Sequence, residues 1–368
     1  MPNLVGIGNS QVPTNAMLGG LAYENSSVLD QVRSGRKNMI INGDMRICQR
    51  FAVNSANNIN NGTHTYHVDR FKAYESTDGI LQGEWENDNY SDAGFQYSVK
   101  YTPATADTSL SDSQMAFISQ VIEMENMRHL AYGLSYAKTC TLSFYVKSNL
   151  TGTYSISLIN EGTNNRQFVT EYQINTSNTW ERKTITIPGD TSGTWNSNGL
   201  RISWNLASAS NRWASTTGDW FGDSTVKYGT NNQVNFMSNT SYTFNLTGVQ
   251  FEIGENASSF EHRSYGEELA LSQRYCQKAS VYVASGNAGV NNIYGFTVNF
   301  MTEMRDAPTL YSSSGINGTG SFSSRRDGSE DSGNPTIRNS NTNSVTIGAK
   351  NGQKADWLYG QVLMESEL

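Results

Sequence analysis

Segments in which apolar and polar residues alternate are the feature of this chain that most limits how it can fold. In residues 95–101 (FQYSVKY), every second residue is aromatic or Val. Period two places alternate side chains on opposite faces of a strand, so each such segment has one face for a core. Segments of this kind recur about every ten residues with turn residues between them, a spacing typical of a β-sandwich.

The alternation predicts two groups of strands separated by one helix. The first group is Met39–Ile47, interrupted by a Gly-Asp bend, His67–Tyr74, Phe95–Tyr101, Gln114–Met124, Thr139–Lys147, Gly152–Ile159, Phe168–Ile174, Trp180–Ile187, Leu200–Leu206 and Tyr242–Ile253. A helix follows, because Ser264 and Glu267 have the spacing of a capping box. The second group is Ser280–Ala284, Tyr294–Met301, Pro308–Tyr311, Ser344–Ile347 and Trp357–Met364. The Gly-, Ser- and Asn-rich stretch 312–344 predicts exposed loops with at most one poor strand, at 319–323.

These groups predict an all-β chain of four parts. An N-terminal arm, 1–37, is interrupted by glycines and cannot bury a core alone, so we expect it to serve for attachment. An antiparallel sandwich spans 38–262, a linking helix 263–278 and a smaller C-terminal β-domain 279–368. The C-terminal β-domain has so little apolar content that we expect its stability to depend on neighbouring parts or subunits, which favours an oligomer.

Composition excludes several classes of function. The net charge is −7, whereas nucleic-acid binding needs clustered Lys and Arg. No run approaches the roughly 18 apolar residues of a membrane span, and the N-terminus lacks the layout of a signal peptide, so we expect neither membrane insertion nor secretion. The three cysteines match no metal-ligand spacing, and the His64-x-x-His67 pair is expected to be incidental.

Two segments resemble known proteins. The first is 38–50 (NMIINGDMRICQR), followed by 66–71 (YHVDRF); the second is 246–254 (LTGVQFEIG), followed by 260–269 (FEHRSYGEEL) and 273–275 (QRY). Together with 142–148, 14–22 and 304–309, they resemble tail fibre or receptor-binding proteins of phages and prophages. The resemblance implies a virion protein of the phage tail, made in the host cytoplasm, that is a homotrimer. It also implies contacts with other tail proteins through residues 1–37.

The region that these segments enclose also resembles the jelly roll of carbohydrate-binding modules. The fold that we expect is therefore an antiparallel jelly-roll β-sandwich. In many such modules the first and last strands together hold a structural Ca²⁺, which makes Asp44 and Glu252 the candidate ligands by position. Calcium needs six to eight oxygens, and Arg46 stands where a second acid often sits. The alternative is that Asp44 turns the chain and Glu252 is solvated or paired with Arg46.

Five aromatic residues are the candidate glycan contacts, because sugars are recognised by flat aromatic faces with polar groups nearby. They lie in the Gly-, Ser- and Asn-rich stretches that join strands, and they are Trp195, Trp213, Trp220, Phe221 and Tyr228. The alternative for each is packing beneath its own loop or against another subunit. Trp180 and Trp204 alternate with polar neighbours on strands and are expected to be core residues.

No motif for catalysis is present: the chain has no phosphate-binding loop, nucleophile elbow or zinc helix. Acids flank Trp85 (Glu84 and Glu86) and the pair Trp220-Phe221 (Asp219 and Asp223), but an exposed loop acid is solvated by default. We therefore expect adhesion to host surface polysaccharide and no enzymatic activity. Three alternatives stay open: a polysaccharide depolymerase, a tail adaptor or connector without receptor contact, and a bacterial adhesin, which would need a secretion route.

Overall fold

The computed structural model describes residues 36–59, 61–87, 94–161, 166–195, 198–284, 294–312, 322–326, 329–333, 336–349 and 357–367. The chain divides into two compact units, Met1–Lys37 and Asn38–Leu368. The predicted attachment arm, 1–37, lies outside the described residues except for its last two. The fold is therefore that of the second unit.

Strands dominate this unit. They are β1 Asn57–Asn58, β2 His64–Val68, β3 Phe71–Glu75, β4 Ile80–Asn87, β5 Tyr97–Thr105, β6 Met115–Glu123, β7 Cys140–Ser148, β8 Gly152–Asn160, β9 Arg166–Ile174, β10 Glu181–Ile187, β11 Gly199–Ser208, β12 Trp220–Gly222, β13 Phe244–Ile253, β14 Cys276–Ala284, β15 Tyr294–Asn299, β16 Thr309–Ser312, β17 Phe322–Arg326, β18 Ser329–Gly333, β19 Thr336–Ser340, β20 Ser344–Ala349 and β21 Trp357–Glu365. Two short α-helices are described, α1 Met124–Met127 and α2 Tyr265–Gln273, with 3-10 turns at Arg128–Leu130, Ser210–Arg212 and Phe236–Ser238. In the described part of the chain, none of the helices has the length and apolar character to cross a bilayer.

The first thirteen strands form two antiparallel sheets. Sheet A has the order β1-β4-β5-β13-β7-β10, and sheet B has the order β12-β9-β8-β11-β6-β3-β2. Within them, β5-β13-β7-β10 faces β6-β11-β8-β9. If the strands β5 to β11 and β13 are lettered B to I along the chain, these orders become BIDG and CHEF, the order of a jelly roll. The predicted all-β antiparallel jelly roll is confirmed.

The core lies between the two sheets and is filled by aromatic side chains. Trp204 of β11 is fully buried, with ring centroids 5.7 Å from Phe144 of β7 and 6.1 Å from Phe71 of β3. Tyr101, Tyr154 and Phe244 are equally buried. The strand alternation therefore provides inward-facing rings from both sheets, as period two predicts.

A smaller β-region follows the jelly roll. The predicted N-cap is present, because the Ser264 hydroxyl accepts the N–H of Glu267 at 3.3 Å at the start of α2. β14 to β21 then form two further sheets, one with the order β14-β21-β17-β18, in which β16 also pairs with β21, and one with the order β15-β20-β19. The boundaries 38–262, 263–278 and 279–368 stay predictions.

Three predicted elements differ from the structure. Residues 39–47 form no strand, because Asn42 and Met45 have φ values of 59° and 57° and turn the chain. His67–Tyr74 is not one strand; it contains the end of β2 and most of β3, joined at Asp69-Arg70. The stretch 312–344, predicted as loops with at most one poor strand at 319–323, contains three strands, β17, β18 and β19.

Candidate functional site

A pocket lies on the outer face of sheet A, away from the core. Its volume is about 260 Å³. The residues that line it come from β7, β10, β13, the chain just before β5 and the chain after β13: Phe95, Ser143, Tyr145, Arg182, Gly248, Ser259, Phe260 and His262. The size suits a small ligand group, since pockets for whole drug-sized ligands begin at about 300 Å³.

A bulge in β13 forms the floor of the pocket. The register of β13 against β7 shifts between Thr247 and Gln250. Gly248, in this bulge, has a φ of 58°, and a Cβ there would lie 2.6 Å from the Phe95 ring and 2.8 Å from the Tyr145 ring. Only glycine accepts both this backbone angle and these contacts. Gly248 thus lets two aromatic rings approach the strand.

Aromatic rings form the wall. The Phe95 ring packs edge-to-face against Phe260, with centroids 4.9 Å apart, and against Tyr145 at 5.4 Å. His262 lies 4.9 Å from Phe260. Phe95 is buried, Tyr145 and Phe260 are half-buried, and His262 is exposed. Edge-to-face packing fixes the rings, so the wall is preformed.

The chain after β13 is fastened by the Glu252 carboxylate. Glu252 Oε1 accepts the N–H of Ser258 at 2.8 Å, and Oε2 accepts the Ser258 hydroxyl at 2.7 Å. Gln250 Nε2 also donates to Glu252 Oε1, at 2.8 Å, while Gln250 Oε1 accepts the N–H of Glu261. Glu252 therefore positions the segment that carries Ser259, Phe260 and His262.

The two predicted calcium ligands have separate partners. Asp44 Oδ2 lies 3.0 Å from Arg46 Nε, whereas Glu252 is held by Ser258 and Gln250. Burial, opposed by Arg46, raises the pKa of Asp44. In the described part of the chain, no three His, Cys, Asp or Glu side chains are grouped so that they could hold a metal ion. The structure thus gives the two carboxylates different protein partners, and calcium binding by them stays a prediction.

The five candidate aromatic residues occupy three places. Trp195 and Trp220 pack together edge-to-face at 5.5 Å, both against the Tyr132 ring, at 5.0 and 5.7 Å. Their indole N–H groups are engaged too: that of Trp195 donates to Asp190 at 3.0 Å, and that of Trp220 to Pro188 O at 2.7 Å. The structure thus brings these two together beside the sandwich core.

The other three are apart from that pair. Tyr228 is buried and stacks on Phe117 at 4.6 Å. Phe221 is half-buried on β12. Trp213 is 37% exposed, although its indole N–H donates to Ser208 O at 2.8 Å. None of the five lines the described pocket, and their contact with glycans stays a prediction.

The acids near tryptophans have partners of their own. Glu84 and Glu86 lie 3.5 and 2.9 Å from Lys100 Nζ. Asp219 and Asp223 accept backbone N–H groups of Trp220 and Thr225, at 2.7 and 2.8 Å. All four carboxylates are thus engaged by neighbouring groups of the protein itself.

Sequence reasoning did not single out the residues of the pocket. Phe95 and Tyr145 were predicted as members of strands, and Phe260 and His262 appeared only within the segment that resembles tail proteins. The usable signal was Gly248 inside a strand pattern, which predicts a bulge or a close approach.

No protein-family model matches the chain, and no curated protein matches it. Among solved structures, the chain is similar to the enzymatically active domain of bacteriophage CBA120 tailspike protein 4, with 13% identity and a TM-score of 0.30, over 59% of this chain and 21% of that one. A CBM4 module has 13% identity and a TM-score of 0.28, over 58% of this chain and 98% of that one. A putative sugar binding protein from Bacteroides thetaiotaomicron has 13% identity and a TM-score of 0.31, over 59% of this chain and 100% of that one.

Proposed function

We propose that this protein adheres to host surface glycans as a structural protein of a phage tail, binding saccharide through the pocket on sheet A without cleaving it. The observation that carries the binding proposal is the combination of a fixed aromatic wall with hydroxyl and N–H groups at its edge. The resemblance of residues 38–50, 246–254 and 260–269 to tail fibre proteins supports the proposed place in the virion.

The geometry suits recognition of one sugar unit. Sugar C–H groups can pack against the half-buried rings of Tyr145 and Phe260, while Ser259 and Arg182 offer hydrogen bonds to hydroxyl groups. Of the residues that line the described pocket, none is Asp or Glu, so neither carboxylate of a glycosidase pair is provided there. This lining supports the proposal of binding without turnover.

A single small pocket gives weak affinity, so adhesion requires several copies. We propose a homotrimer whose N-terminal arm, 1–37, attaches to the tail. Repeated weak contacts on one particle raise avidity by about 10²–10⁴ through effective concentration. The runner-up functions are a tail adaptor or connector and a polysaccharide depolymerase.

Binding of the purified full-length chain to a panel of bacterial capsular and lipopolysaccharide glycans tests this function. We expect Tyr145→Ala and Phe260→Ala to weaken binding by about tenfold or more, since loss of an aromatic anchor costs a large share of binding energy. Tyr136→Ala is the control, because Tyr136 is 69% exposed and does not line the pocket. Light scattering of the same samples measures the oligomeric state.

Three outcomes would contradict the proposal. Absence of glycan binding, with retained binding to tail proteins, would favour the adaptor. Release of oligosaccharides from the polysaccharide, abolished by Glu86→Gln or Asp219→Asn, would favour the depolymerase. Binding that survives both pocket variants would place the glycan site elsewhere.

A further inference from the structure

The charge at the edge of the pocket is positive. One of the residues that line it, Arg182, carries a guanidinium, and within the described chain no acidic side chain joins it in the lining. Arg182 is ionised at any physiological pH. A ligand in this pocket therefore meets a fixed positive charge beside an aromatic wall.

Arg182 is anchored at the edge of sheet A without being neutralised. It is exposed on β10, the edge strand, opposite Tyr145 of β7. Its NH2 group donates to Ser258 O at 2.6 Å. A guanidinium has five N–H donors, and this bond uses one of them. The contact holds the side chain near the pocket and leaves donors for a ligand.

Two acids on β13 and in the chain after it are already engaged. Glu252 is buried and accepts bonds from Ser258 and Gln250. Glu261 accepts the N–H of Asn38 at 2.7 Å and lies 4.0 Å from Arg263. In the described part of the chain, neither forms an ion pair with Arg182.

We propose that the pocket selects saccharides that carry an anionic group, a carboxylate or a phosphate ester, which the guanidinium of Arg182 binds. This deepens the proposed function and rests on it. Arginine matches the oxygens of carboxylate and phosphate groups in pairs, which makes the contact both stronger and more directional than a bond to a neutral hydroxyl. The aromatic wall would pack against the sugar ring, and Arg182 would bind the anionic substituent that the ring carries.

Matched sugars test this selection. The full-length protein is titrated with methyl glucoside, methyl glucuronide and methyl glucoside 6-phosphate, and with the same three derivatives of galactose, by ligand-observed NMR. We expect at least one anionic sugar to bind about tenfold more tightly than its neutral counterpart, a preference that weakens as salt screens the charge. The two anionic arms distinguish a carboxylate from a phosphate.

Substitution of Arg182 assigns the preference to this residue. Arg182→Gln should reduce the preference for anionic over neutral sugars to within about twofold. Arg182→Lys should retain part of this preference, because the charge stays while the paired N–H groups are lost. Arg128→Gln is the control, since Arg128 is an exposed arginine that pairs only with Glu125 in the described chain. Equal affinity for neutral and anionic sugars, or a preference unchanged in Arg182→Gln, would overturn this inference and leave the proposed function intact. Absence of binding to all of these sugars, and to the glycan panel, would overturn both.

Discussion

At the scale of single residues, His67 is a buried group whose protonation is opposed by folding. It is 1% exposed on β2, with Nε2 3.1 Å from Asn57 O and its ring edge-to-face with Tyr101. Burial lowers the pKa of His67 from 6.5 to about 4. The folded protein thus keeps this imidazole neutral where the unfolded chain would protonate it.

His67 makes the stability depend on pH. Because the unfolded chain binds the extra proton between pH 6.5 and 4, the free energy of unfolding falls as the pH is lowered through this window, and below pH 4 the loss levels off. A shift of this size corresponds to about 3 kcal/mol of the free energy of unfolding. Urea unfolding at several pH values should show that His67→Gln lacks this part of the pH dependence, whereas His262→Gln, at an exposed position, keeps it. Parallel curves for wild type and His67→Gln would contradict the assignment.

Single residues were the hardest to predict from the sequence. Trp220 stands in a Gly-rich stretch, so the sequence predicted a loop residue that could contact a glycan. It lies instead on β12 beside Phe168 and is 8% exposed. Nothing local distinguishes a tryptophan that packs under its own loop from one that faces solvent. Phe95 differs from its prediction in the opposite direction. Its alternation with Tyr97 predicted that it packs as a strand residue, but its ring lines a pocket that forms only when the sheets have folded.

At the scale of elements, the segment 38–50 runs beside β13 without forming a strand. Met39 N donates to Phe251 O at 2.9 Å, and the Asn38 side chain donates to Val249 O at 3.0 Å and accepts the N–H of Phe251. Gly43 O accepts the N–H of Val249 at 2.9 Å. The segment 38–50 and β13 are therefore in direct contact, held by backbone and amide hydrogen bonds.

This contact predicts the effect of a methyl group at Gly43. A Cβ there would lie 2.1 Å from Val249 O, a backbone atom that cannot move without shifting β13. Gly43→Ala should therefore lower the free energy of unfolding by about 1–3 kcal/mol. Gly222→Ala is the matched control, because nothing lies within 4 Å of its Cβ, and its effect should be near zero. Equal denaturation midpoints for the two variants would contradict this packing.

Elements with strict alternation were predictable, and elements shaped by side-chain bonds were not. Period two located β5 to β11 and β13 because both sheets bury one face. The turn at Asn42 was not predicted, because it depends on side-chain hydrogen bonds in place of strand pairing. The Asn42 side chain bonds to backbone atoms of Ile47 and Asp69, and its own backbone has a positive φ. β17 to β19 were not predicted, because the stretch 312–344 lacks a regular apolar repeat.

At the scale of the whole molecule, a buried network of charges joins the jelly roll to the end of β21. Arg50 is 4% exposed and lies 2.8 Å from Asp69, 2.6 Å from Glu365 and 3.0 Å from Glu367. Glu367 also pairs with Arg70, which is 2% exposed. Arg50 and Glu365 are 315 residues apart in sequence. No local sequence pattern could predict this pairing, since only the folded chain brings Arg50 and Glu365 together.

The network predicts that Glu367 stabilises the molecule more than an exposed acid does. Glu367→Gln keeps the shape but removes the charge that pairs with Arg70, whereas Arg50 keeps Asp69 and Glu365. Removing one partner of a buried ion pair typically costs about 3–5 kcal/mol, because the other charge, here that of Arg70, is left buried without compensation. Glu255→Gln, at an exposed position, should change the free energy of unfolding by less than about 0.5 kcal/mol. Because β21 lies between β14 and β17, a loosened end should also expose β14, so limited proteolysis should cut Glu367→Gln faster than the control. If Glu367→Gln matched Glu255→Gln in both urea unfolding and proteolysis, the charge network would not be what fastens β21 to the jelly roll.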